Sequence, residues 1–393
     1  MRRRHLRALT GVRFFAAAHV VVYHYGRGLL RLPAAIGRIL DHGFAGVTLF
    51  FVLSGFILAY NHAAEPAPGL RASARAFWAA RFARIYPVYA LGLLLALPAL
   101  LATRVTSSGH DLALTLATTP LLLQGWIPRI AGRWNGPAWS LSAEALFYLT
   151  FPLLAVGIAR VRRRGLLGLG AAAWATSIAT AGIYLLILPD GPVHAGMATA
   201  AAPWLSYVRY HPLARLPEFV LGIVAGRLFL LRRVHEATVG GRRWPAELTA
   251  ALAIAATLAV AASPVAPPFP MVHVGLLAPV FAVAIYALAV AGGRGPVSWP
   301  LSSGVAVRLG EASYALYILH VPLHDLAARV AASAGWRPGP ALFFGAYLVL
   351  AVGVSVLVNL AFEVPARRSL RRWLGAHGGG RGPVAEPAAA RAA

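Results

Sequence analysis

Blocks of 17 to 23 mostly apolar residues recur along almost the whole chain and are separated by short polar segments. An α-helix needs about 20 such residues to cross the roughly 30 Å hydrocarbon core of a bilayer. Only 12% of the 393 residues are charged, whereas about 25% is usual in soluble domains. The blocks therefore predict an all-α polytopic integral membrane protein that is embedded in the lipid bilayer as its partner.

Windows of about 19 residues give about ten transmembrane helices. The predicted spans are residues 8–25, 43–62, 83–103, 138–159, 166–188, 214–231, 246–263, 272–291, 309–330 and 341–363. A further apolar stretch, 112–126, is short for a span, so we predict that it is re-entrant or interfacial. The transmembrane domain is expected to fill residues 1–374. The Gly-, Ala- and Pro-rich residues 375–393 are expected to form a disordered cytoplasmic tail.

All 36 basic residues are arginines, and they concentrate on alternate connections between the spans. The connections on the N-terminal side carry 24 arginines and the opposite connections carry 8. Cytoplasmic loops hold the excess of basic residues, so we predict a plasma (inner) membrane protein with both termini in the cytoplasm. The net charge of +24 follows from this topology, and nucleic-acid binding is not predicted. The absence of cysteine excludes disulfides and a cysteine acyl-enzyme.

The first predicted span contains two ionisable residues, Arg13 and His24. An arginine at the centre of a span is unfavourable by roughly 2.5–3.5 kcal/mol on insertion scales, so ionisable residues in spans are usually functional. The two residues are eleven positions apart, which places them on one helix face and roughly 16 Å apart along the axis. On a straight helix they cannot touch, so we expect them to serve different parts of a reaction. A snorkelling arginine and a hydrated helix-end histidine are the structural alternatives.

Two pairs of like residues share a helix face further along the chain. Arg81 and Arg84 are three positions apart, and their guanidinium groups would suit phosphates; plain cytoplasmic anchoring is the alternative. His320 and His324 are four positions apart and could bind a metal ion. No third metal ligand is evident in the sequence, so no metal is predicted.

Two acidic residues also fall within predicted spans. Glu144 is unfavourable in a membrane unless it is paired or functional, and Trp139 and Ser142 precede it as donors that could orient a ligand. Glu218 is the second acid of this kind.

Six segments of the chain resemble, in the same order, the acyltransferase 3 family of membrane O-acyltransferases. They are GVRFFAAAHVVVYHY, GFAGVTLFFVLSGFIL, RFARIYPVY, WSLSAEALFYLTFPLL, EFVLGIVAG and LGEASYALYILHVP. The similarity covers about residues 6–365. It implies transfer of an acyl group, usually acetyl, from a cytoplasmic acyl-CoA to a hydroxyl. Acceptors in the family include cell-envelope glycans, lipid-linked sugars, peptidoglycan and macrolide antibiotics.

The family's motifs match residues in the first, third and fourth predicted spans: Arg13, His24, Arg81, Arg84, Ser142, Glu144, Phe147 and Tyr148. The chain departs from the family in the second span. Where many members have aspartate in G-V-D-L-F-F, this chain has Thr48. If that aspartate assists the histidine elsewhere, its role is unfilled or moved here.

The residues and the resemblance together predict a direct acyl transfer with acetyl-CoA as co-substrate. Arg81 and Arg84 hold the CoA phosphates, and Arg13 either lines the donor's path or polarises its thioester carbonyl. His24 is the general base on the acceptor hydroxyl, because imidazole titrates near neutral pH, and Glu144 orients His24 or the acceptor. The residues expected to contact the substrate are Trp139, Ser142, Tyr148 and His320.

A proton-coupled transporter or exporter of a polar or glycosylated substrate is the competing hypothesis. Intramembrane arginine, histidine and glutamate would serve a carrier equally well. Carriers tend to have helices broken by Gly or Pro in matched halves, and no such repeat is evident in the sequence. The acceptor, the length of the acyl group, the membrane face of the chemistry and the choice between monomer and homodimer stay open at this stage. An acyl-histidine or acyl-Ser54 intermediate stays the alternative to direct transfer.

Overall fold

The computed structural model describes residues 5–29, 32–62, 70–103, 108–191, 202–239 and 244–377, and all regular structure in these ranges is helical. The α-helices, in chain order, are α1 (Arg7–Tyr25), α2 (Ala34–Asp41), α3 (Gly46–His62), α4 (Leu70–Ala102), α5 (Gly109–Thr118), α6 (Trp139–Ala159), α7 (Arg163–Ile187), α8 (Pro203–Tyr210), α9 (Pro212–Val239), α10 (Trp244–Ala262), α11 (Phe269–His273), α12 (Ala278–Ala291), α13 (Ser298–Leu301), α14 (Gly304–Ser333), α15 (Pro340–Val358) and α16 (Val364–His377). A π-helical segment, Asn359–Glu363, joins α15 to α16.

Each of the ten predicted spans coincides with a helix, although α4 and α9 extend beyond the predicted bounds. Among the described residues, seven stretches are long and apolar enough to cross a membrane: Ala34–His62, Ala74–Ala102, Gly136–Ala159, Arg163–Ile187, Trp244–Ala262, Phe269–Ala291 and Pro340–Leu374. The other three predicted spans are helices α1, α9 and α14. These three hold ionisable residues such as Arg13, Glu218 and Glu311. The all-helical, multi-pass character predicted from the sequence is thereby confirmed.

The short apolar stretch 112–126 forms the end of α5 and a 3₁₀ turn at Gln124–Trp126. Helix α5 has 10 residues, about half the length that a span requires. At the other end of the chain, α16 continues to His377. The rest of the predicted tail lies outside the described residues.

Glycines bring the central helices into backbone contact. A Cβ atom on Gly222 of α9 would lie 2.0 Å from the carbonyl oxygen of Val52 on α3, and one on Gly55 would lie 2.2 Å from a carbonyl of α9. A Cβ atom on Gly310 of α14 would lie 1.9 Å from the carbonyl oxygen of Thr10 on α1. Only glycine fits at such contacts, which is how small residues allow helices in membranes to pack closely.

Helices α1, α3, α9 and α14 form the centre of the bundle, and their facing side chains are buried. The surrounding helices α7, α10 and α15 expose large apolar residues, for example Leu186, Leu252 and Val349. An apolar outer surface suits hydrocarbon, whereas water would disfavour it. Arg215 and Glu218 of α9 are therefore enclosed by the bundle.

Candidate functional site

Two neighbouring cavities lie against helix α1, one at Arg13 and one at His24. The Arg13 cavity has a volume of about 120 Å³ and the His24 cavity about 360 Å³. Val47 of α3 and Tyr317 of α14 line both cavities, so these two side chains belong to the wall between them. Helix α1 runs without interruption from Arg7 to Tyr25 and contains no proline. Arg13 and His24 thus face different cavities at two depths, roughly 16 Å apart along one helix.

Five predicted site residues line the Arg13 cavity: Arg13, Arg81, Arg84, Glu144 and Tyr148. They come from three helices, α1, α4 and α6, which the fold brings together. Three guanidinium groups face one carboxylate, so the lining carries a net positive charge. The cavity can therefore accommodate an anionic ligand.

The three arginines of this cavity differ in their partners. Nη1 of Arg84 forms an ion pair with Oε1 of Glu363 at 2.6 Å, and Glu363 is fully buried. Nε of Arg13 donates a hydrogen bond to Oγ of Ser313 at 3.3 Å. Nε of Arg81 is buried and has no hydrogen-bond partner among the described residues. Arg81 is therefore the arginine with the most capacity left for a ligand.

Sequence reasoning missed Glu363, which lies in the π-helical segment Asn359–Glu363. Nδ2 of Asn359 donates to Oε2 of Glu363 at 3.0 Å and to the carbonyl oxygen of Glu311 at 3.2 Å. Such a widened helical turn is frequent at functional sites. A sequence signal was present, because Glu363 is an acid at the very end of the apolar span 341–363.

Glu144 is half-buried in the Arg13 cavity. It interacts with the hydroxyl of Tyr148, which also interacts with Ser54. Arg13 attracts the Glu144 carboxylate without forming a direct ion pair in the described part of the chain. Because His24 faces the other cavity, the structure separates Glu144 from His24, which is one of the two groups that it was predicted to orient, the other being the acceptor.

His24 is exposed to its cavity, and its Nδ1 contacts two groups. The carbonyl oxygen of Val20 lies 2.9 Å from this atom and Nε2 of His320 lies 3.2 Å from it. A carbonyl can only accept, so Nδ1 of His24 carries the proton and Nε2 is the acceptor atom of the neutral ring. Likewise Nδ1 of His320 donates to the carbonyl oxygen of Tyr317 at 2.8 Å, which makes its Nε2 an acceptor. This network fixes the His24 tautomer that can act as a base through Nε2.

His320 is fully buried and lines neither cavity. The structure therefore places it behind His24, where it contacts the predicted base instead of a substrate. Its neighbour His324 stacks on Tyr25 with ring centroids 3.7 Å apart. Within the described ranges, no group of three or more His, Cys, Asp or Glu residues could hold a metal ion.

The two remaining predicted contact residues have different surroundings. Trp139 lines the His24 cavity, where its ring centroid lies 5.1 Å from that of Tyr210 and 6.1 Å from that of His273. Ser142 is buried outside both cavities, and its Oγ accepts a hydrogen bond from the backbone N–H of Gly125 at 3.0 Å. The structure thus gives Ser142 a role in holding the loop before α6.

Thr48 belongs to a buried ionic cluster beside the His24 cavity. Nη2 of Arg215 donates to Oγ1 of Thr48 at 3.1 Å and to Oε2 of Glu218 at 3.0 Å. Nη1 of Arg215 contacts both the carbonyl oxygen and Nδ1 of His273. The acid near position 48 is therefore Glu218 of α9, and it pairs with Arg215, which contacts His273 and not His24. Arg215 was missed, although its spacing of three residues from Glu218 was a usable signal.

Comparisons with known proteins find similarity over nearly the whole chain. A family model described as an acyltransferase domain matches residues 6–360. The chain is 32% identical to acyltransferase MdmB of Streptomyces mycarofaciens, over 93% of each protein. It is 29% identical to the exopolysaccharide production protein ExoZ of Rhizobium meliloti (strain 1021), over 84% of this chain and 92% of the relative. No solved structure matches it.

Proposed function

This chain belongs to the acyltransferase 3 family, and we propose that it transfers an acyl group, acetyl by preference, from acyl-CoA to a hydroxyl. The acceptor is a glycan, a lipid-linked sugar or a glycosylated metabolite, and the similarity to an exopolysaccharide production protein supports this class. One observation carries the proposal: Arg13 and His24, on one unbroken helix, face two cavities that have Val47 and Tyr317 as their common wall.

In the proposed topology, ten spans cross the plasma membrane and both termini lie in the cytoplasm. The arginine asymmetry of 24 against 8 supports this orientation. Arg13 lies in the second turn of α1 and His24 in its last turn. The Arg13 cavity then faces the cytoplasm, where acyl-CoA is available, and the His24 cavity faces the opposite side.

The Arg13 cavity binds the donor in this proposal. Arg81 is the main ligand of the CoA phosphates because its buried Nε has no other partner among the described residues, and Arg84, held by Glu363, adds a second positive charge. Arg13 and His24 contact Ser313 and His320 of α14, and these two partners are roughly 10 Å apart along that helix. Arg13 therefore lines the path of the donor and does not polarise a carbonyl that reacts at His24.

His24 acts as the general base. Its Nε2 removes the proton of the acceptor hydroxyl while the hydroxyl oxygen attacks the thioester carbon, which enters between Val47 and Tyr317. The new C–O bond forms, the C–S bond breaks, and the proton passes from His24 to the departing thiolate. His320 keeps Nδ1–H of His24 oriented during this cycle. No covalent acyl-enzyme is required.

The test uses full-length protein in lipid nanodiscs, labelled acetyl-CoA, and a glycan and metabolite extract of the producing cell as the acceptor pool. We expect His24→Ala to lower label transfer about 10²- to 10⁴-fold, because the general base is lost. The matched control is His19→Gln, since His19 lies on the same helix, lines neither cavity and bonds to the carbonyl of Ile39 at 2.8 Å.

Equal melting temperatures establish that the variants are folded. A transfer rate of His24→Ala equal to that of the unmodified protein contradicts the assignment of the base. Release of free CoA accompanies label transfer in an enzyme. A carrier moves substrate with neither event, and that result would favour the transporter hypothesis.

A further inference from the structure

The His24 cavity has a cationic wall that the proposed reaction leaves unexplained. Arg129, Arg133 and Arg209 line it together with His24 and His273. No aspartate or glutamate is among the described residues that line it. General acid–base chemistry at His24 needs no guanidinium groups at this position, so they call for a separate explanation.

Only two of these arginines have a carboxylate partner in the described ranges. Oδ1 of Asp111 lies 3.2 Å from Nε of Arg129, and its Oδ2 lies 3.5 Å from Nη2 of Arg133. One carboxylate thus balances two guanidinium groups. The arginine side chains are 53% and 30% exposed, so both can contact a ligand as well.

Arg209 has no carboxylate partner among the described residues. Its guanidinium lies over the ring of Tyr210 at 4.9 Å and near the ring of Phe269 at 5.3 Å. Its Nε is buried and no described residue accepts its hydrogen bond. A buried N–H without an acceptor is unfavourable, and an anionic ligand would relieve this penalty.

Topology gives no reason for these arginines either. On the proposed non-cytoplasmic side, where basic residues are depleted, the connections carry only 8 arginines. Three of those eight converge on the His24 cavity. Positive-inside orientation would be stronger without them, so a ligand is the better explanation.

We propose, on the basis of the proposed function, that the acceptor carries an oxyanion, a carboxylate or a phosphate, close to the hydroxyl that is acylated. Guanidinium groups bind both anions through paired, charge-assisted hydrogen bonds. Arg209 and His24 line the same cavity. An anion bound at Arg209 therefore holds a neighbouring hydroxyl beside Nε2 of His24. Uronic-acid glycans and glycosyl phosphates have this chemistry, whereas an acceptor with an amine would be repelled.

The test measures binding, which does not depend on turnover. Full-length protein in phosphatidylcholine nanodiscs is titrated with two matched pairs of probes: trigalacturonate against maltotriose, and glucose 1-phosphate against glucose. We expect at least one acidic probe to bind about tenfold or more tightly than its neutral counterpart. We also expect Arg209→Gln to remove this preference, since one charge-assisted hydrogen bond supplies about that factor. The matched control, Arg337→Gln, removes an exposed arginine from the same proposed side and should leave the preference unchanged.

Equal binding of acidic and neutral probes overturns the proposal, as does an acidic preference that survives in Arg209→Gln. A third arm repeats the titration in phosphatidylglycerol nanodiscs. Loss of probe binding in these nanodiscs would show that a lipid headgroup occupies the site. That result would overturn the proposal that the site binds an anion of the acceptor. Label transfer from acetyl-CoA is measured on the same samples. Its absence beside selective anion binding would refute the acyl transfer and leave the anion site standing.

Discussion

Replacement of His320 by leucine tests how His24 is held in its productive orientation. Nε2 of His320 and the carbonyl oxygen of Val20 share the proton on Nδ1 of His24, at 3.2 Å and 2.9 Å. The variant removes the acceptor on α14 and leaves the one within α1. The ring therefore keeps its tautomer but gains freedom to rotate.

The expected fall in kcat follows from the strength of the one hydrogen bond that the variant loses. A hydrogen bond between neutral groups contributes about 0.5–1.5 kcal/mol net, and 1.36 kcal/mol corresponds to tenfold in rate. The contact to His320 is the longer of the two, so we expect kcat to fall about three- to tenfold. Removal of the base itself by His24→Ala should be far more severe, about 10²- to 10⁴-fold.

The assay is the initial rate of label transfer from acetyl-CoA, measured against the concentration of each substrate and across pH. His320 lines neither cavity, so KM for the donor should not change. Tyr347 bonds at 2.7 Å to the backbone carbonyl of His320, and this contact survives the substitution. His320→Gln, which offers an amide oxygen as acceptor, should recover part of kcat. An unchanged kcat in folded His320→Leu, or a loss equal to that of His24→Ala, would refute the reasoning.

Two further predictions concern stability, which is measured as the apparent melting temperature of each variant in detergent. Glu363→Gln leaves the Arg84 guanidinium without its counter-charge and should destabilise the fold by about 3 kcal/mol, while a second substitution, Arg84→Gln, should restore most of the loss. An additive double variant would contradict the pairing. Gly222→Val should prevent close packing of α9 on α3, because its Cβ meets the carbonyl oxygen of Val52 at 2.0 Å. The control is Gly182→Ala, because Gly182 has open space around it and the substitution should be neutral or slightly stabilising. If Gly222→Val melted at the same temperature as Gly182→Ala, the packing argument would be contradicted.

The helices could be predicted from the sequence because a span is a local signal of about 19 apolar residues. The division of Arg13 and His24 between two cavities was also predictable, since the rise per residue alone separates them. Arg81 and Arg84 share a face because residues three positions apart are neighbours on the surface of a helix. These features depend only on positions within one helix, which is why they needed no knowledge of tertiary packing.

The rest of the site depends on contacts between distant segments. Arg84 and Glu363 are 279 positions apart, and nothing in either segment identifies the other as its partner. The π-helical turn that places Glu363 has no sequence pattern comparable to the hydropathy of a span. Ser142 illustrates the opposite error, because a serine beside a candidate acid suggests a ligand contact, while packing directs it to the backbone of Gly125.

The common wall of the two cavities has a consequence for the cell's energy supply. In the proposed topology, Val47 and Tyr317 stand between two cavities that hold charged side chains and reach into the bilayer from opposite faces. A membrane potential of 100 mV is worth about 2.3 kcal/mol per elementary charge, and it falls mainly across such a thin, apolar partition. These side chains must therefore admit a thioester and still block protons. Smaller residues at positions 47 and 317 would let protons pass through the acyltransferase and dissipate the proton gradient.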